Sequence, residues 1–132
     1  MLRLSLQLTA CAALAVALSG CGETEVFRTD RPILRIMLDE YRIVPQNISV
    51  KAGRMKFDVR NSGRLTHNLA VQIPPAQLRA RPVEIGRVRT MQPGEQGDPI
   101  KLDLQPGEYR LVCTIGNHDD LGQFGTLEVK LE

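Results

Sequence analysis

A chain of 132 residues points to one domain. A formal net charge of +2, with arginines that form no single basic block, gives no footprint for nucleic acid. No Trp, two Tyr and three Phe argue against a stacking platform for single strands. Eight Pro and eleven Gly, spread between short apolar runs, favour a turn-rich all-β domain over a helical bundle.

The N-terminus has the form of a targeting segment. Arg3 supplies a small positive region, and Leu4 to Leu18 is an apolar stretch interrupted by Ser, Gln and Thr. It is short and only moderately apolar for a membrane span, so residues 1–20 are expected to be a cleaved signal. Leu18-Ser19-Gly20-Cys21 resembles the bacterial lipobox, which implies lipidation of Cys21 and export; the alternative is an ordinary signal peptide cleaved near Gly20 or Gly22. Cys11 then leaves with the leader, and Cys113 is left without a disulfide partner in an oxidising compartment. A free exported thiol there is a liability unless it is buried or bound to metal.

Residues 21–32 are polar and read as a tether, flexible at first and ordered by about Pro32. The domain is expected over 33–132. Ile33 to Leu38 reads as a strand of uncertain facing. Tyr41 to Val50 is an extended run broken by Pro45, which suits a kinked edge strand. Arg54 to Arg60 alternates cleanly, with Met55, Phe57 and Val59 on one face. Asn61-Ser62-Gly63 is a turn, and Leu69 to Ile73 is a strand ended by Pro74-Pro75. A helical turn over Ala76–Arg81 and a strand over Val83–Arg89 follow, then a loop from Met91 to Pro99. Ile100 to Leu104 alternates again. Pro106-Gly107 turns the chain into Tyr109–Cys113, and a last strand from Phe124 to Leu131 is expected to carry Leu127, Val129 and Leu131 inward. Seven or eight short strands separated by turns predict an all-β Greek-key sandwich.

The chemistry concentrates in Tyr109 to Val129. Cys113 and His118 lie five residues apart on a loop between two strands, an arrangement for a metal or for a nucleophile. The other histidine of the chain, His67, opens a strand far upstream. Two His and one Cys form the equatorial set of a blue-copper electron-transfer site, completed by a weak axial ligand. Soft thiolate and borderline imidazole suit both oxidation states of copper.

At this point the sequence resembles the cupredoxins over most of the mature chain. Asn61-Ser62-Gly63 followed by Thr66-His67-Asn68 matches the family's first ligand segment. Pro106-Gly107-Glu108-Tyr109-Arg110-Leu111-Val112-Cys113 matches its P-G-x-Y-x-x-x-C run, and Cys113 to His118 matches its C-x(4)-H spacing. His118-Asp119-Asp120-Leu121-Gly122-Gln123-Phe124-Gly125-Thr126-Leu127-Glu128-Val129 follows its H-x-x-x-G-M-x-G-x-L-x-V pattern except at one position, where Gln123 replaces the usual axial methionine. The resemblance implies a cupredoxin-like sandwich holding one copper ion, Cu(I)/Cu(II), on His67, Cys113, His118 and Gln123. An amide oxygen in the axial position, as in stellacyanin-like plant proteins, implies a lower reduction potential. The resemblance also implies that Asn68 is hydrogen-bonded at Thr114, joining the two ligand segments.

The function so implied is a membrane-anchored, extracytoplasmic type 1 copper protein that shuttles single electrons, facing the periplasm or the cell exterior. Its expected partners are redox proteins, such as a small cytochrome or a membrane oxidase or reductase. Ile115 and Leu121 would line the docking surface, with Asp119 and Asp120 steering toward a basic partner. Copper storage, delivery or sensing by the same ligands is the alternative. An enzyme is not expected: four ligands fill the site, and no helix N-terminus stands ready to activate the thiol.

Overall fold

A computed structural model describes residues 24–75 and 81–131 of the chain. The expected signal peptide, Cys21 and all but Arg81 of the expected helical turn lie outside the described residues. The strands are β1 (Phe27–Thr29), β2 (Ile33–Asp39), β3 (Arg42–Val44), β4 (Asn47–Lys51), β5 (Gly53–Asn61), β6 (His67–Ile73), β7 (Val83–Met91), β8 (Ile100–Leu104), β9 (Gly107–Val112) and β10 (Phe124–Lys130). They form an all-β sandwich of two sheets, ordered β1-β4-β10-β9-β6-β7 and β3-β2-β5-β8.

The ten strands among the described residues exceed the expected seven or eight for two reasons. The stretch read as tether contributes β1, which pairs in parallel with β4 through Phe27–Ile48, Arg28–Ser49 and Thr29–Val50. Order therefore begins before Pro32. The run from Tyr41 to Val50 is not one kinked strand but two, in different sheets. Pro45 lacks an N–H and cannot continue the β3 ladder. The chain crosses there to the other sheet, and the Gln46 carbonyl then accepts the Thr126 N–H at 2.9 Å, delivering β4 to the side of β10.

The inward faces follow the two-residue period of a strand. Leu34, Ile36 and Leu38 of β2 are buried, which settles the facing of that strand, and Met55, Phe57 and Val59 of β5 are buried beside them. Ile48, Val50, Leu69, Val71, Leu111, Leu127 and Val129 meet them from the opposite sheet. Leu131 does not join: it lies one residue beyond β10 and is 78% exposed. Once the ladder ends, the alternation no longer dictates direction. Tyr109 packs against the core and donates its hydroxyl to the Gln105 carbonyl at 2.8 Å, pinning the turn into β9 as a corner residue does.

Two pairings set the site's position. β9 and β10 form an antiparallel hairpin in which Val112 faces Phe124. β6 lies antiparallel on the other side of β9, with Ala70 facing Val112. The start of β6, the end of β9 and the start of β10 therefore share one end of the sandwich. His67, Cys113 and Gln123 stand at those three points.

Candidate metal centre

The Cys113–Gln123 loop is closed at its base. The Cys113 N–H donates to the Gln123 carbonyl at 3.1 Å, and the Gln123 N–H donates to the His118 carbonyl at 2.9 Å. Inside it, the His118 N–H donates to the Ile115 carbonyl at 3.1 Å and the Gly122 N–H to the Asp119 carbonyl at 3.0 Å. Gly122, at φ 113°, takes a backbone conformation that side-chain-bearing residues rarely adopt, and so lets the loop turn back toward β10. The backbone thus ties Gln123 to both Cys113 and His118 before any side chain is considered.

The side chains converge. Cys113 Sγ lies 4.0 Å from His67 Nδ1 and 3.6 Å from His118 Nδ1, and the ligating atoms of the three residues all lie within 4.8 Å of one another. An ion about 2.0 Å from nitrogen and about 2.3 Å from sulfur, with bonds about 120° apart, separates S from N by about 3.7 Å. The two observed separations bracket that value. His67 and Cys113 are fully buried, and His118 is half-buried, so one ligand keeps an edge toward solvent.

Gln123 is also fully buried. Its Nε2 donates to the Asp39 carbonyl at 2.7 Å, which fixes the orientation of the amide. Its Oε1 is left buried without a hydrogen-bond partner. A buried carbonyl oxygen without a donor is costly, and a cation supplies what the protein does not. Burial, with the neighbouring His118 adding to it, holds the pKa of His67 below its ordinary value, against smaller opposing influences from Glu40 and the Gln123 amide. The neutral imidazole is the form that binds metal. Two imidazoles and one thiol fit one copper ion, and the unpartnered amide oxygen of Gln123 is buried at the same end of the sandwich. Met91, which faces His67 across the β6–β7 pair, belongs to the core, its sulfur beside Gly97.

The two ligand segments are clamped to each other. The Thr114 N–H donates to Asn68 Oδ1 at 2.8 Å, and Asn68 Nδ2 donates to Thr114 Oγ1 at 3.0 Å. Each bond is worth about 1 kcal/mol, and the pair holds the residues next to His67 and Cys113 in register. Cys21 lies outside the described residues.

Three further residues surround the centre without a sequence signal. Arg87 of β7 donates Nη1 to Thr114 Oγ1 at 2.7 Å and is itself held by Glu84. Its pKa is raised chiefly by the Glu84 hydrogen bond, with a smaller contribution from Cys113. Tyr41 sets its ring edge-on to His118, with centroids 5.3 Å apart, from a backbone at φ 55° that a bulky residue seldom adopts. The Glu40 carboxylate lies 3.8 Å from His67 Nε2. All three reach the site from strands or turns distant in sequence, and no local pattern marks them.

No protein-family profile matches the chain, and no curated protein matches its sequence. Solved structures do match its fold. Reduced auracyanin from the photosynthetic bacterium Roseiflexus castenholzii is 18% identical with a TM-score of 0.65, over 77% of this chain and 99% of that one. Auracyanin A, a blue copper protein from Chloroflexus aurantiacus, is 16% identical with a TM-score of 0.59, over 74% and 99%. A methionine-to-glutamine variant of rusticyanin is 18% identical with a TM-score of 0.55, over 78% and 81%. The chain has the fold of these cupredoxins, with a His-Cys-His group at the end of its sandwich.

Proposed function

We propose that the protein is an extracytoplasmic, lipid-anchored carrier of single electrons built on one type 1 copper centre, and not an enzyme. The observation that carries this reading is the convergence of His67, Cys113 and His118 beside the stranded oxygen of Gln123. A bound copper ion supplies a one-electron couple at a site whose ligands need not rearrange between states. The chain's own contribution is rigidity. Asn68 and Thr114 lock the segments that carry His67 and Cys113, and the base of the loop ties Gln123 to both of its other ligands.

His118, half-buried, offers the site's contact with a partner. Leu121 is 51% exposed on the same loop, and Ile115 is half-buried. Of the two acids beside it, Asp119 lies 3.6 Å from Arg110 and its charge is partly compensated within the chain. Asp120 is exposed and is the acid available to a basic partner, such as a small cytochrome or a membrane oxidase or reductase.

The test is to add Cu(II) to the purified full chain and record the visible spectrum. An intense thiolate-to-copper band, lost in Cys113→Ser, supports the centre; its absence from the wild type overturns the reading. Fast reversible voltammetry supports a carrier. A slow or irreversible couple with ready exchange of copper favours storage or delivery by the same ligands.

A further inference from the structure

His67 Nδ1 faces Cys113, and the opposite ring nitrogen is unaccounted for. Nε2 is buried and has no hydrogen-bond partner. A metal-bound histidine uses its second nitrogen to fix tautomer and ring orientation, commonly against a carboxylate or a backbone carbonyl. Within ion-pair range of this Nε2 stands the Glu40 carboxylate, with Oε1 at 3.8 Å. We propose that Glu40 is a positioning residue for the metal centre: its carboxylate is the outer partner of His67, holding Nδ1 toward the metal and favouring the oxidised ion through its negative charge. The proposal rests on the copper reading above.

Two independent features build this contact. The first is that Glu40 Oε1 is not free to swing. It accepts the backbone N–H of Arg64 and, at 3.1 Å, that of Leu65. Both donors belong to the loop between β5 and β6 that delivers His67, so the carboxylate and the imidazole are positioned by the same few residues. Glu40 itself sits in the turn between β2 and β3, next to Asp39, whose carbonyl orients Gln123. One turn therefore reaches both a ligand and the proposed axial donor.

The second feature is the space left by Gly63. A Cβ there would lie 2.5 Å from Glu40 Oε1 and 3.1 Å from His67 Nε2. Real Cβ atoms do not approach so closely, so any larger residue displaces the carboxylate or the ring. Gly63 is held in place by its own N–H, which donates to Asn61 Oδ1 at 3.0 Å. The turn Asn61-Ser62-Gly63 thus does more than reverse the chain: it keeps open the volume in which Glu40 meets His67. A carboxylate beside a metal-bound imidazole raises ligand basicity and stabilises the more highly charged ion.

The experiment uses the copper-loaded full chain. Glu40→Gln keeps an oxygen acceptor for the Arg64 and Leu65 N–H groups but removes the charge. Its blue band should persist while its affinity for Cu(II) relative to Cu(I) falls about tenfold, read as a higher reduction potential. The His67 Nε2 proton, followed by NMR in the diamagnetic Cu(I) form, should exchange faster than in the wild type. Gly63→Ala should shift the potential in the same direction, and the double variant should shift no further than the larger single one. An unchanged potential and unchanged proton exchange in Glu40→Gln overturn the assignment, as do fully additive shifts. A wild type without the blue band overturns the copper reading instead, so the two failures are distinct.

Discussion

At the scale of single residues, Gln123 is the most informative side chain of the molecule. Its amide is held by donation to Asp39, so its oxygen has nowhere to turn for a hydrogen bond. A hard oxygen donor favours Cu(II), whereas a thioether favours Cu(I). Gln123→Met is therefore expected to raise the reduction potential by at least one tenfold step in relative affinity, ~59 mV for a one-electron couple. An unchanged potential measured by voltammetry would mean that the amide is not the axial donor. The identity of this residue was legible at once, because the loop pattern around it is local. Its hydrogen bond to Asp39 was not, since 84 residues separate donor and acceptor.

Between elements, the site depends on how closely β10 approaches the crossing segment before β4. Gln46 Nε2 donates to the Phe124 carbonyl at 3.1 Å, and the Gln46 carbonyl receives the Thr126 N–H. Gly125 lies between these two bonds, where a Cβ would stand 2.5 Å from the Gln46 carbonyl oxygen. That oxygen belongs to backbone fixed by the ladder and cannot give way as a flexible side chain would. Gly125→Ala is expected to cost about 1–3 kcal/mol, comparable to other overpacked sites. Urea unfolding of the wild type and variant should show the lower midpoint; equal midpoints would show that the sheet yields. From sequence, Gly125 is one more glycine after a loop. Only the parallel pairing of β4 with β10 makes its small size a requirement.

For the whole molecule, β1 sets the end of the sandwich at which the N-terminal segment meets the domain. β1 runs parallel to β4, and β4 runs parallel to β10, which leads away from the metal centre. The chain therefore enters β1 from the end of the sandwich that carries the site. Thr24 and Glu25 line a surface groove with Arg42 to Asn47, the same segment whose Arg42 carbonyl lies near Gln123. At about 3.5 Å per residue, the chain from Cys21 to Phe27 spans no more than about 20 Å. A lipid on Cys21 would hold the copper end close to the bilayer, which suits a partner embedded in that membrane. Cys21→Ser is expected to move the protein from the membrane fraction to the soluble fraction with its visible spectrum unchanged. Retention in the membrane fraction would overturn the lipid anchor.

Residue order alone determined what is local: the alternation of β5 and of β10 as far as Val129, the turns at Asn61–Gly63 and Pro106–Gly107, and the spacing of Cys113, His118 and Gln123 on one loop. Such features depend on neighbours a few positions apart, and a strand's period or a loop's length is written in consecutive residues. Tertiary structure decided what depends on pairing across the chain. It separated β3 from β4, added β1 to the larger sheet, and turned Leu131 to solvent. It also set Glu40, Tyr41 and Arg87 around ligands far from them in sequence. The candidate ligands were legible because one loop carries three of the four; their surroundings were not, because three different segments had to fold before those residues could meet.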